Sequence, residues 1–119
     1  MALKSAEFVK AVAALGRALA LPEDDITRDA SIQRFEFSME LAWKVSKRWL
    51  GTDTSAPKQV IREMGQAGLI SDVVLWLEAI DQRNLSSHTY NEDLAREVYA
   101  FASGFLPELQ SLLDRVQQP

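Results

Sequence analysis

Apolar residues recur along most of the chain at the period of an α-helix, and breaks in the recurrence divide it into five helical segments. From about Leu3 to Leu21, Phe8, Val12, Leu15 and Leu19 mark one face of a first helix, which Pro22, Glu23, Asp24 and Asp25 end.

The second segment, from about Asp29 to Leu50, is the most informative. Phe35, Phe37, Met39, Leu41, Trp43 and Val45 alternate with other residues, which in isolation is the pattern of a strand. Length decides against a strand, because the pattern runs far beyond about 8 residues. Charge decides the same way, because Glu36, Glu40 and Lys44 follow one another at i, i+4. On a wheel of about 100° per residue, Gln33, Glu36, Glu40, Lys44 and Lys47 share one narrow polar wedge. The remaining surface splits into two apolar faces. Ile32, Phe35, Met39, Trp43 and Trp49 form one; Phe37, Leu41 and Val45 form the other. A helix this apolar is buried on most sides. Either a symmetric dimer covers the second face, or the helix is the central rod of one bundle; the pattern alone leaves both open.

Gly51 to Ala56 read as a loop, and Ser55 is placed to cap a short third helix with Pro57 in its first turn. Val60, Ile61 and Met64 form its apolar stripe, and Gly68 stops it. Ser71 or Asp72 caps a fourth helix with Val73, Val74, Leu77 and Ile80 towards the core and Trp76 flanking. Thr89-Tyr90-Asn91-Glu92 resembles a capping box for a fifth helix carrying Leu94, Val98, Phe101 and Phe105. Gly104 and Pro107 are expected to kink or break that helix before Leu109, Leu112 and Leu113 continue the stripe. These elements predict an all-α fold: an antiparallel four- to five-helix bundle forming a single domain over residues 1–119.

Composition narrows the classes of function. The chain has no cysteine, so neither disulfides nor thiolate metal sites are available, and a reducing, cytoplasmic setting fits. Lys4, Glu7 and Lys10 interrupt any signal-like apolar run, and no stretch approaches the ~18 apolar residues that span a bilayer, so no membrane association is expected. A net charge of −4 argues against non-specific nucleic-acid binding, so any such contact is local. With one histidine, His88, and no cysteine, no metal site of the usual kind is expected. There is no phosphate-binding glycine loop, no serine nucleophile elbow and no sign of a cofactor. Glu36 and Glu40 lie one turn apart and could bind a divalent ion, but pairing with Lys44 explains them better.

The segment Arg83-Asn84-Leu85-Ser86-Ser87-His88-Thr89-Tyr90 is unusually polar for a place where a bundle helix ends. Arginine holds a fixed charge that can fork onto phosphate, and histidine transfers protons near neutral pH. Asn84, Ser86, Ser87 and Tyr90 add neutral hydrogen-bonding groups, which makes Asn84 and Ser87 candidate supporting residues. Arginine with histidine is a sufficient set for cleaving RNA without metal. His88 would deprotonate the ribose 2′-hydroxyl or protonate the leaving oxygen, and Arg83 would stabilise the charge that builds on the phosphorus centre. Positions five apart on a continuous helix diverge by about 140°, so the two side chains converge only if the helix ends between them or two subunits share a site. The plainer reading is a polar helix terminus, with Arg83 near the last carbonyls and His88 in a cap.

Arg83, His88 and Tyr90 in the pattern Arg-x4-His-x-Tyr resemble the signature of HEPN-domain proteins, specifically the HepT-like toxins, also called nucleotidyltransferase substrate-binding proteins. Further blocks are similar: Ile32-Gln33-Arg34-Phe35-Glu36-Phe37 with Glu40-Leu41-Ala42-Trp43-Lys44 resembles the family's second helix, and Val60-Ile61-Arg62-Glu63 with Gly68-Leu69-Ile70 its third. Trp76 and Arg83-Asn84 complete a likeness over roughly residues 30–110. The resemblance implies an all-α homodimer encoded beside a minimal nucleotidyltransferase. In the toxin reading the dimer is a metal-independent RNase acting on RNA, and the nucleotidyltransferase is an antitoxin that adenylylates the motif tyrosine. Carried over, Arg83 and His88 are catalytic, Asn84 supports them and Tyr90 is the modification site. In the alternative reading the dimer groove is a non-catalytic subunit that presents a nucleotide or other substrate to the nucleotidyltransferase.

Overall fold

The computed structural model describes the backbone of residues 2–117 and the side chains from Ser5 to Gln117. Five α-helices follow in order: α1 (Ala2–Leu19), α2 (Asp25–Leu50), α3 (Pro57–Gln66), α4 (Val73–Leu85) and α5 (Glu92–Val116). A short 3₁₀ turn, Ser86–His88, extends the end of α4, and no strand occurs among the described residues. The all-α bundle expected from the sequence is the fold.

The long helix α2 is the rod around which the bundle forms. At 26 residues it is about 39 Å long by helical rise, matching the longest dimension of the molecule, 39 Å. It packs against all four other helices. That central position buries most of its apolar surface: Ile32, Phe35, Met39, Ala42 and Val45 are enclosed. Phe37 and Trp49, at 46% and 48% exposure, stay uncovered.

Helix α2 begins at Asp25, one turn before the expected start. Asp24 and Thr27 exchange hydrogen bonds, side chain to backbone N–H in both directions at 2.8 Å, closing a capping box. The hydrogen bonds from Thr27 hold the Asp24 carboxyl below its ordinary pKa. The acidic run read as a terminator of α1 is therefore the start of α2, and α1 stops at Leu19.

Other expectations need correction. Ser55 does not cap α3; Ala56 occupies that position, because Pro57 sits at the first helical residue. At its far end α3 closes as predicted around Gly68, φ 77°, with the Leu69 N–H donating to the Met64 carbonyl at 2.9 Å and that of Gly68 to Gly65 at 3.1 Å. Asp72 caps α4, accepting from the Leu75 N–H at 3.0 Å. Trp76 is fully buried rather than flanking, and Val74 is 77% exposed rather than inward. Two residues on a helix point about 200° apart, so a core stripe running through Trp76, Ala79 and Ile80 turns Val74 to solvent.

The capping box at Thr89 does not form. Asn91 caps α5, accepting from the Leu94 N–H at 3.2 Å. Nor do Gly104 and Pro107 interrupt α5, which runs unbroken to Val116. The N–H that Pro107 lacks would have faced the carbonyl of Ser103, and Ser103, Gly104 and Pro107 all lie on the exposed side, where that carbonyl is open to solvent. Phe105, Trp76, Phe35 and Phe101 form the aromatic centre of one continuous core, with the Trp76 and Phe105 ring centroids 4.7 Å apart. No helix among the described residues is long and apolar enough to cross a membrane.

Candidate functional site

Helix α4 ends between Arg83 and His88. After Leu85 the backbone tightens into the 3₁₀ turn, and hydroxyl groups take the carbonyls that the helix end leaves free. Ser87 Oγ donates to the Asn84 carbonyl and Thr89 Oγ1 to the Ser86 carbonyl, both at 3.1 Å. The Asn91 N–H donates to the His88 carbonyl at 3.1 Å, joining the turn to the cap of α5. The run of hydroxyls that looked unusual for a helix end is thus what closes it. The 140° divergence of a continuous helix does not apply, because the helix stops between the two residues.

The motif side chains take different positions. Arg83 points back across the bundle to α2, where its Nη2 donates to Glu40 Oε1 at 2.7 Å. Lys44 Nζ lies 3.1 Å from the other oxygen of the same carboxylate. Burial pushes the Glu40 carboxyl up, but the hydrogen bond from Lys44 and the charges of Arg83 and Lys44 outweigh it and hold the group below its ordinary range. One turn along α2, Glu36 Oε2 accepts from Ser86 Oγ at 2.6 Å. Ser86 is buried, and its Oγ also lies against the Arg83 carbonyl. Glu36 and Glu40 therefore form two rungs to the end of α4.

His88 and Tyr90 face outward. Their rings meet edge to face with centroids 6.0 Å apart, and Tyr90 is 87% exposed. Asn84 and Ser87 are also exposed. No hydrogen bond or ion pair joins Arg83 to His88, so within one chain the motif gathers at one end of the bundle without direct contact between its two principal members. A polar cleft of about 280 Å³ opens beside it, lined by residues that include Asp29, Gln33, Glu36, Ser86 and Tyr90.

Sequence reasoning missed Glu40 as the partner of Arg83 and Glu36 as the partner of Ser86, although it found the pairing of Glu40 with Lys44. The signal was present as spacing: acidic residues four apart on one helix match Arg83 and Ser86 three apart at the end of an antiparallel one. Lys44, Lys47, Arg48, Lys58 and Arg62 are basic residues of α2 and α3, and two of them are paired with carboxylates. Lys44 is engaged by Glu40, and Lys58 by Asp81 at 2.7 Å. No cluster of three or more potential metal-binding side chains occurs among the described residues.

A five-helix bundle with this motif at the end of its fourth helix defines a class, and comparison with known proteins gives the class its family. The family described as nucleotidyltransferase substrate binding protein like matches residues 3–118, and the chain belongs to it. A protein of Haemophilus influenzae called probable ribonuclease HepT is 38% identical over 96 residues, a match covering 74% of this chain and 66%, just under two thirds, of that protein. A Thermus thermophilus protein of known crystal structure superposes with a TM-score of 0.87 at 35% identity, over 93% of this chain and 99% of that one. A solved structure from H. influenzae superposes with a TM-score of 0.86 at 30% identity, over 96% of this chain and 99% of that one. That structure is described as revealing the fold of a substrate binding domain of a nucleotidyltransferase.

Proposed function

We propose that this protein is a metal-independent endoribonuclease of the HepT type, formed by a single domain, acting as a homodimer and restrained by a partner nucleotidyltransferase. The observation that carries the reading is the end of α4, where one short turn separates an arginine oriented by Glu40 from a solvent-facing histidine. The kinship with a protein called probable ribonuclease HepT supports it.

In the proposed reaction His88 takes the proton of a ribose 2′-hydroxyl, and O2′ attacks the adjacent phosphorus. The 5′-oxygen of the next nucleotide departs with a proton from a second imidazole, leaving a 2′,3′-cyclic phosphate and a 5′-hydroxyl. Arg83 offsets the charge gathering on the non-bridging oxygens. Each chain has one histidine, so a base and an acid in one cleft call for two chains. An apolar groove of about 420 Å³ lined by Glu7, Lys10, Ala11, Phe37, Glu40 and Leu41 is the face we assign to the second copy. It reaches Glu40, and through it Arg83, so a neighbour seated there would lie beside the motif.

The restraint is adenylylation. The nucleotidyltransferase would move AMP from ATP to Tyr90 Oη, with pyrophosphate leaving and the phenolic proton passing to solvent. The exposure of Tyr90 makes it reachable. The added phosphate, two residues from His88, would compete for Arg83 and block the path of an RNA phosphate.

A second reading, a non-catalytic subunit that presents substrate to the nucleotidyltransferase, draws on the polar cleft beside Tyr90 and on the description of the H. influenzae structure. Growth of a host expressing the protein alone, with RNA integrity followed on a gel, separates the two. Growth arrest and RNA loss with the intact protein, absent in Arg83→Ala and His88→Ala, support the nuclease. Harmless expression of dimeric, unmodified protein supports the subunit.

A further inference from the structure

We infer that Glu36 and Glu40, one turn apart on α2, are positioning residues that set the relative placement of Arg83 and His88. The inference deepens the nuclease reading and rests on it for its catalytic consequence, although the placement itself can be measured without any RNA.

The two motif residues sit on different pieces of backbone, Arg83 in the last turn of α4 and His88 at the end of the 3₁₀ turn. Nothing joins their side chains to each other. Arg83 itself and the turn that carries His88 are each tied instead to α2. Glu40 fixes the guanidinium directly, by a charge-assisted hydrogen bond of 2.7 Å. Glu36 fixes the start of the turn through Ser86 Oγ at 2.6 Å. The Ser86 hydroxyl has one proton and two acceptors within reach, the Glu36 carboxylate and the Arg83 carbonyl. An ionised carboxylate is the stronger acceptor, so the proton goes to Glu36 and the turn is drawn onto α2. Helix α2 contacts every other helix of the bundle, so a side chain anchored to it is referred to the whole core.

The charge count at the upper rung also suits a phosphate site. Glu40, Lys44 and Arg83 together carry one net positive charge, so Arg83 is oriented without being neutralised. With Lys44 sharing the carboxylate, the guanidinium keeps donors for a phosphate while its direction stays fixed. Such support matters because misplacement by about 1 Å can lower a rate about a hundredfold.

His88 is the only histidine in the chain, so its ring signals in an NMR spectrum need no assignment. The experiment uses the full-length protein and its Glu36→Ala, Glu36→Gln, Ser86→Ala and Glu40→Ala variants, each checked for helix content. The readouts are the His88 ring signals and their contact with Tyr90, and the kcat and KM of RNA cleavage. In Glu36→Ala and Ser86→Ala the His88 signals should broaden or move, the Tyr90 contact weaken, and kcat fall at least tenfold with KM within about twofold. Glu36→Gln keeps an acceptor for Ser86 and should restore both the signals and most of the rate. Glu40→Ala should leave His88 signals in place and lower kcat through Arg83. Unchanged His88 signals in both Glu36→Ala and Ser86→Ala would overturn the inference. So would a Glu36→Gln protein no better than Glu36→Ala. If the intact protein does not cut RNA, the nuclease reading fails and the NMR result still decides the placement.

Discussion

Arg83 and Glu40 lie 43 residues apart in the chain, and their side chains meet at 2.7 Å across the interface of α4 and α2. The same carboxylate holds Lys44 at 3.1 Å, so one acidic group orders two cations beside the motif. This contact has a measurable pH dependence. A carboxyl whose folded pKa lies below its ordinary 4.5 contributes stability that is complete above that value and is lost as pH falls through the folded pKa. Thermal melts of the intact protein and Glu40→Gln should therefore differ at neutral pH and converge at pH values well below 4.5. The carboxylate is one third exposed, so the difference should not exceed about 1 kcal/mol. A gap that persists unchanged into acid would contradict the assignment.

Phe105 is 1% exposed, and its ring lies 4.7 Å from Trp76, 5.3 Å from Phe101 and 6.4 Å from Phe35. Replacing it with alanine opens a cavity at the meeting of α2, α4 and α5. Urea unfolding should show a loss of about 3–5 kcal/mol with helix content retained before the transition. A loss below about 1 kcal/mol would mean that this aromatic group is not the centre of the core.

Two helical glycines should respond in opposite directions. A Cβ at Gly104 meets nothing within 4 Å, so Gly104→Ala should stabilise α5 by about 0.5–1 kcal/mol through backbone entropy. A Cβ at Gly65 would overlap Val73 Cγ2, so Gly65→Ala forces Val73 or the start of α4 to shift and should destabilise. Melting temperatures of the two variants test this directly.

Phe37, 46% exposed at the rim of the apolar groove, is the residue on which the proposed homodimer most depends. Phe37→Asp should reduce the mass measured by light scattering from twice that of the chain to once, with little change in helix content, because the ring contributes little to the core of one chain. A variant that remains a dimer would place the interface elsewhere.

Much of this molecule was legible from periodicity. Phe8, Val12 and Leu15 on α1, Phe35 and Met39 on α2, and Val60, Ile61 and Met64 on α3 all face the core as their spacing predicts. What was not legible depended on contacts between distant segments. Asp24 looked like a stop for α1 because its role as a cap depends on Thr27 folding back onto it. Trp76 and Val74 exchanged places because a short apolar helix defines its inward face only once its neighbours are present. Pro107 looked like a break because a sequence does not show that its missing hydrogen bond falls on the wet side. At the candidate site Arg83, His88 and Tyr90 stood out by residue type, whereas Glu36 and Glu40 passed for surface charge. Their partners, Ser86 in the 3₁₀ turn and Arg83 in the last turn of α4, lie 50 and 43 residues away.

The most direct test of the account is cleavage of a defined single-stranded RNA by the purified, unmodified protein in the presence of a metal chelator, beside His88→Ala. Intact protein that cuts to 2′,3′-cyclic phosphate ends under chelation, with a rate at least about a hundredfold above His88→Ala, is the predicted result. RNA left whole by the intact dimer, or cut equally well by a folded His88→Ala protein, would contradict it.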